Sequence, residues 1–181
     1  MGVGYRETNS RGVKNITLTE GPFHITVCHV AADGGNREVL RELWACAKEE
    51  LTPEDLKDKF LLAKSGELTA FHCHGVQANT EVLHDMWVPA KEILTKEELK
   101  YLLLLDEDSM GRTAWHNAVD QGHIEELQTL WEWAKEDLTT NELNRNLFLG
   151  KDYKEMTAWH LAARLSYISI LLKLWQWAKQ N

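Results

Sequence analysis

The side chains with the greatest capacity for chemistry are histidines and cysteines, and they meet in the triplet His72-Cys73-His74, with His84 downstream. Residues of these types could bind zinc, or a cysteine beside a histidine could act as a nucleophile. Positions i and i+2 of a helix point to different faces, so the triplet cannot chelate one ion from a single helix. The sequence therefore predicts neither a metal site nor a cofactor.

Carboxylates are the next group considered, because paired acids can perform general acid–base catalysis. The run Asp106-Glu107-Asp108 lies in a polar connector, where solvated charges do not form a buried pair with shifted pKa values. Serines are few, and the sequence has no glycine-rich phosphate loop. We therefore expect that the chain is not an enzyme.

The histidines themselves follow a pattern, because four of them stand three residues after a threonine in a recurring phrase. The phrase reads TVCHVAA, TAFHCHG, TAWHNAV and TAWHLAA, and its copies begin at Thr26, Thr69, Thr113 and Thr157. These threonines are separated by 43, 44 and 44 residues. A second phrase recurs with the same spacing and contains Trp44, Trp87, Trp131 and Trp175. Two phrases with one period indicate an array of structural repeats.

Each repeat begins with a threonine suited to a helix N-cap, and a helix of about two turns is expected after it. Gly35 and Gly122 would end this first helix, and a second helix follows with its apolar residues on one stripe, including the four recurring tryptophans. A third, short helix is predicted where LTPEDL, LTKEEL and LTTNEL place an acid three residues after Thr52, Thr95 and Thr139. Residues 1–20 would be a flexible leader or partial repeat, and residues 21–181 the array, with repeats at about 21–64, 65–107, 108–151 and 152–181.

Composition limits the functional classes. Of 181 residues 44% are hydrophobic, which is enough for a continuous core, and the formal net charge of −8 disfavours nucleic acid as a partner. No apolar run is long enough to span a membrane. The three cysteines are odd in number and predicted to be small buried residues in a reducing compartment, so a cytoplasmic or nuclear location is expected.

The phrase Thr157-Ala-Trp-His160-Leu-Ala-Ala163 resembles the TPLHxAA signature of ankyrin repeats, and the resemblance extends over about residues 21–181. It implies an all-α, ankyrin-type helical repeat solenoid of about four repeats, with hairpin-like fingers between them. The ankyrin period is about 33 residues, and the predicted third helix accounts for the longer repeat. The resemblance also implies that each phrase histidine bonds its own threonine or loop backbone. These structural pairs are Thr26 and His29, Thr69 and His72, Thr113 and His116, and Thr157 and His160.

By the same resemblance, the residues after each histidine, the ends of the first helices and the connectors line a concave face that binds a partner protein. The candidates are Asp33, Cys73, Gln77, Asp106, Glu107, Asp108, Asn117, Asp120, Gln121, Tyr153, Lys154, Leu161 and Arg164. Most are acidic or neutral, which favours a basic or mixed partner surface. The predicted function is a protein–protein interaction scaffold or adaptor. The alternatives are an ankyrin segment of a larger channel, toxin or enzyme, and an inhibitor that masks a basic segment of a transcription factor.

Two departures from a regular array are expected. Pro89 falls inside a second helix, where proline costs about 3 kcal/mol or kinks the helix. The last repeat ends in an apolar helix with Ile168, Leu172 and Trp175 and has no polar cap. Since terminal repeats usually need a polar outer face, we expect that a longer array, a partner or a second copy covers it.

Overall fold

The structure is a computed structural model, and it describes residues 26–65, 67–72 and 80–180. The chain divides into two compact units, Met1–Leu94 and Thr95–Asn181, and each is described by itself. The predicted leader, the first helix of the second repeat and the candidates Cys73 and Gln77 lie outside the described residues.

The first unit contains the second helix of each of two repeats, and these two helices pack side by side. After α1 (Val27–Asp33) comes the longer α2 (Arg37–Glu50), and α3 (Pro53–Asp55) continues into a π-helical segment, Leu56–Leu61. Strands β1 (Lys64–Ser65) and β2 (Leu68–Thr69) pair antiparallel in a short hairpin between repeats. Helix α4 (Thr80–Ile93) completes the unit and contacts α2.

The second unit repeats the same order. It begins with α5 (Lys96–Lys100) and the π-helical segment Tyr101–Leu105, followed by α6 (Ala114–Gln121) and α7 (Ile124–Asp137). Next come α8 (Thr140–Leu143), the π-helical segment Asn144–Phe148, α9 (Ala158–Arg164) and α10 (Ile168–Ala178). The first helices α6 and α9 contact one another, and each also packs on the second helix of its own repeat. The fold is an all-α helical repeat, as the period predicted.

The start of each third helix is capped by its threonine. The Thr95 and Thr139 hydroxyls each accept a hydrogen bond from the backbone N–H three residues later, and Glu98 and Glu142 accept one in return from the threonine N–H. The Thr52 hydroxyl caps α3 by accepting from the Asp55 backbone N–H at 3.2 Å. Each short helix then widens into π-helix, whose last turn is closed by i→i−5 bonds such as Leu149 N–H to Asn144 O, 3.0 Å. Nothing in the sequence had indicated this widening.

The core of the second unit is aromatic. Trp115, Trp131 and Trp177 are buried, and the rings of Trp131 and Trp177 stack with their centroids 5.2 Å apart. Trp133 is buried too. The prediction of four core tryptophans is wrong for Trp175, which is 58% exposed because no described element covers that face of α10.

Three further predictions can be compared with the structure. The turn residues after the first helices adopt positive φ: 66° at Gly35, 78° at Gly122 and 61° at Ser166. Pro89 is buried inside α4, which runs on past it to Ile93, so the proline does not end the helix. Cys28 is buried but Cys46 is exposed, so the prediction of buried cysteines is wrong for Cys46, which lies on the outer side of the first described repeat.

Candidate partner-binding loops

In the first and third repeats, the histidine of the threonine–histidine phrase links the first helix to the connector that follows. In the third repeat the His116 Nδ1 accepts from the Thr113 hydroxyl at 3.0 Å and backbone N–H at 3.4 Å, while its Nε2 donates to the Gly150 carbonyl at 3.1 Å. In the first repeat His29 lies 2.7 Å from the Thr26 hydroxyl and 3.0 Å from the Leu68 carbonyl. The threonine therefore holds the histidine by its hydroxyl, as the resemblance implied, and Thr113 and Thr157 also form capping boxes with that histidine at the start of their helices.

In the two remaining pairs, the histidine Nδ1 is likewise within hydrogen-bond distance of the threonine hydroxyl. His72 Nδ1 is 2.9 Å from the Thr69 hydroxyl, and His160 Nδ1 is 2.8 Å from the Thr157 hydroxyl. Unlike the other three, His160 is exposed. Among the described residues no group of histidines, cysteines and acids is arranged to hold a metal ion.

Burial sets the protonation state of these histidines. It lowers the pKa of His116 below its ordinary value of 6.5, although the Gly150 carbonyl opposes the shift. The pKa of His29 is lowered for the same reason, against the effect of the Leu68 carbonyl. A neutral imidazole that carries its proton on Nε2 satisfies both contacts, because Nδ1 then remains free to accept. His116 and His29 are thus neutral structural links at neutral pH.

Two connector loops of the second unit, residues 106–113 and 150–157, have one conformation, which two aspartates maintain. Asp108 accepts from the backbone N–H groups of Met110 and Arg112 at 2.8 and 3.0 Å. One period later, Asp152 accepts from Lys154 and Met156 at 2.8 and 2.9 Å. The fourth residue of each turn, Gly111 or Glu155, has positive φ of 69° or 61°. Both loops are therefore closed turns with a defined shape.

A buried arginine joins these loops to the first helices. Arg112 donates to Asp152 at 3.4 Å and to Asp120 at 3.0 Å, and Arg164 reaches the other oxygen of Asp120 at 3.1 Å. Asn117 donates to Asp108 at 3.2 Å. Burial pushes the pKa of Asp152 up, but the Met156 and Lys154 N–H groups and Arg112 outweigh it and bring the pKa below its ordinary value. The carboxylate is thus charged inside the fold, where a broken pair would be costly.

The network changes the list of candidate contact residues. Asp106 and Asp108 are buried, and Leu161 is fully buried at 0% exposure, so these three do not form the expected surface. Asn117, Asp120 and Arg164 are partly accessible but have partners within the chain. The remaining described candidates are exposed: Asp33, Glu107, Gln121, Tyr153 and Lys154.

Tyr153 is the most prominent of them, at 72% exposure. Its backbone N–H donates to the Met110 carbonyl of the preceding loop at 2.9 Å. Its ring lies against Gly111 so closely that a Cβ there would come within 2.3 Å of it. The ring is thus placed by the glycine beneath it while its other side faces outward. Sequence reasoning missed Arg112, which organises the site, because a single arginine outside the repeated phrases gave no signal.

Comparison with known proteins supports the fold and leaves the family open. No protein-family model matches the chain, and a search of curated proteins finds no match. Among solved structures, one similar chain comes from the crystal structure of the yeast ribosomal protein Rps3 in complex with its chaperone Yar1. The TM-score is 0.61 at 16% sequence identity, over 81% of this chain and 87% of that one. None of the helices described is long and apolar enough to cross a membrane.

Proposed function

We propose that this chain is an ankyrin-repeat protein that binds a partner protein through its connector loops and first helices, without enzymatic activity. The observation that carries the proposal is the loop pair of the second unit, where buried Asp108, Asp152 and Arg112 hold an exposed tyrosine in place. Preorganised loops lose little entropy on binding, and tyrosine is enriched at the centres of protein interfaces. The similar chain belongs to a complex of a ribosomal protein with its chaperone, which supports a role in protein binding.

The binding surface is best defined by Tyr153 and Lys154 at its centre and by Glu107 and Gln121 at its rim. All four are exposed, and the Arg112 network links their loops to α6 and α9. The formal charge of −8 on the whole chain favours a basic or mixed partner. A cytoplasmic or nuclear location agrees with this role.

Site-directed photocross-linking tests the surface directly. A photoreactive phenylalanine analogue at position 153 should capture a partner in cell extract, and mass spectrometry would identify it. The same analogue at position 149 is the matched control, because Leu149 is 67% exposed but lies at the end of the third helix.

The captured protein would then be purified and titrated against the wild type and variants. Tyr153→Ala should weaken binding about tenfold or more, as expected when a central aromatic is truncated, and Leu149→Ala should leave it unchanged. Loss of binding in Leu149→Ala with normal binding in Tyr153→Ala would place the interface on the third-helix side and overturn the proposal.

The inhibitor alternative rests on the negative charge alone, and it predicts that the captured partner presents a run of lysine and arginine. The alternative of a segment of a larger channel, toxin or enzyme predicts that activity lies in residues other than these. Neither is favoured by a contact within the described residues.

A further inference from the structure

The second helices of the first and last repeats each have an apolar face that no other described element covers. On α10, Ile168, Leu172 and Trp175 are 68%, 65% and 58% exposed, and we call these three residues the tail face. On α2, a shallow groove is lined by three apolar residues, which we call the head face: Val39, Leu43 and Cys46. Exposed apolar patches of this kind often mark interaction sites.

The packing of α7 on α10 shows how such faces fit together. Trp131 of α7 stacks on Trp177 of α10, with their centroids 5.2 Å apart. By the repeat period, Trp175 holds in the last repeat the position of Trp131, and Cys46 holds in the first repeat the position of Trp177. The tail face therefore corresponds to the surface that α7 presents to α10, and the head face corresponds to the surface that α10 presents to α7.

The packing of α2 on α4 adds a pattern of charge. Arg37 pairs with Glu81 and, at 2.8 Å, with Asp85, while Lys48 pairs with Glu92 at 2.6 Å. The acids at the equivalent positions of α2, one period earlier, are Glu38, Glu42 and Glu49. Two of these, Glu38 and Glu42, line the groove of the head face.

The tail face has the opposite charge character. Helix α10 contains no acidic residue, and Lys179, at its C-terminal end, holds the position that Lys48 holds in the first repeat. Lys179 is exposed, and its Nζ lies 5.4 Å from the centre of the Trp175 ring. The single lysine beside the tail face and the acids beside the head face attract one another, which favours this pairing of faces.

We propose that copies of this chain associate head to tail, with the head face of one copy docked on the tail face of a second copy. Cys46 then covers Trp175, as Trp177 covers Trp131, and Lys179 pairs with Glu49, as Lys48 pairs with Glu92. Because the two faces differ, the contact is heterologous. This contact between copies uses neither Tyr153 nor the connector loops. A failure of either proposal would therefore not affect the other.

Sedimentation equilibrium over a range of concentrations tests the association. The average mass of the wild type should rise above the 20.8 kDa of one chain, and Val39→Asp and Trp175→Asp should each hold it at that value. An equimolar mixture of the two variants should form dimers again, because one retains an intact head face and the other an intact tail face.

Leu149→Asp is the matched control, because Leu149 is an apolar residue elsewhere with 67% exposure, and this variant should associate like the wild type. Circular dichroism checks that each variant is folded. A wild type that stays at one chain mass would overturn the proposal. So would association that is lost in Trp175→Asp but kept in Val39→Asp, since the tail face would then bind something other than the head face.

Thiol cross-linking identifies the mating residues. In Trp175→Cys, made together with Cys73→Ser, a short bismaleimide should join position 175 of one copy to the exposed Cys46 of another. Burial raises the pKa of Cys28 to about 12, so that thiol does not compete. Leu149→Cys should give no such product, and a cross-link between two copies of position 175 would instead indicate tail-to-tail pairing and contradict the proposal.

Discussion

At the scale of single residues, His116 links its helix to the next connector only in its neutral form. Its Nδ1 accepts from the Thr113 hydroxyl and its Nε2 donates to the Gly150 carbonyl. A proton added to Nδ1 would face the Thr113 backbone N–H, which can only donate, and burial already disfavours the charged ring. Burial disfavours the charged ring of His29 in the same way.

We therefore predict that the protein loses stability as the pH falls from 8 to 5. The pKa of His116 in the folded state lies below the unfolded value of about 6.5, so the unfolded chain binds more protons in this range. The free energy of unfolding is then greatest above about pH 6.5 and decreases as the pH falls toward the folded pKa. Urea unfolding at a series of pH values measures it.

His116→Asn separates titration from packing. The variant should be less stable than the wild type at pH 8, because the link to Gly150 is lost, but its stability should depend less on pH between 8 and 5. Equal pH dependence in both proteins would contradict the assignment of a titrating neutral imidazole to His116. Above pH 5 the carboxylates, with ordinary pKa values near 4, contribute little to this comparison.

At the scale of elements, the repeat period was sufficient to predict the helices, because each repeat must bury the same face against its neighbour. Departures occur where a neighbour is missing or where a contact is specific to one repeat. Trp175 and Cys46 are exposed in the last and first repeats. By contrast, Trp131, which is equivalent to Trp175, and Trp133, which is equivalent to Cys46, are buried. No local pattern distinguishes them.

The candidate site could be predicted only in part from the sequence. The sequence pointed to the connectors and to Tyr153, but it could not show that Asp108 and Asp152 turn inward. Their role depends on backbone N–H groups within four residues and on Arg112, whose partner Asp152 lies 40 residues away. A repeat phrase predicts which residues share a position, whereas such pairings depend on the fold around them.

The third helix of the third repeat packs into the core through an aromatic side chain that can be tested. Phe148, at the end of its π-helical segment, is buried, and its ring lies 5.6 Å from that of Trp131. Phe148→Ala should lower the free energy of unfolding by about 3–5 kcal/mol, the usual cost of a large cavity. Leu149→Ala, at the exposed neighbouring position, should change it by no more than about 0.5 kcal/mol. Urea unfolding followed by tryptophan fluorescence compares them, and equal small effects would show that the third helix is not part of the core.

At the scale of the whole molecule, the formal charge of −8 predicts how binding by an adaptor differs from the masking of a basic segment. Charge attraction acts over the Debye length, which falls from about 30 Å at 0.01 M salt to about 10 Å at 0.1 M. Steering by net charge mainly raises the rate of association, whereas a central aromatic contact mainly slows dissociation. Salt and Tyr153 should therefore affect different rate constants.

For the partner captured through position 153, we predict that added salt lowers the association rate of wild type and Tyr153→Ala in the same proportion. Tyr153→Ala should raise the dissociation rate about tenfold or more at every salt concentration. Stopped-flow fluorescence or surface plasmon resonance would measure both constants. A Tyr153→Ala variant that dissociates as slowly as the wild type, with affinity that disappears in salt, would favour the masking of a basic segment over an adaptor, because charge alone would then hold the complex.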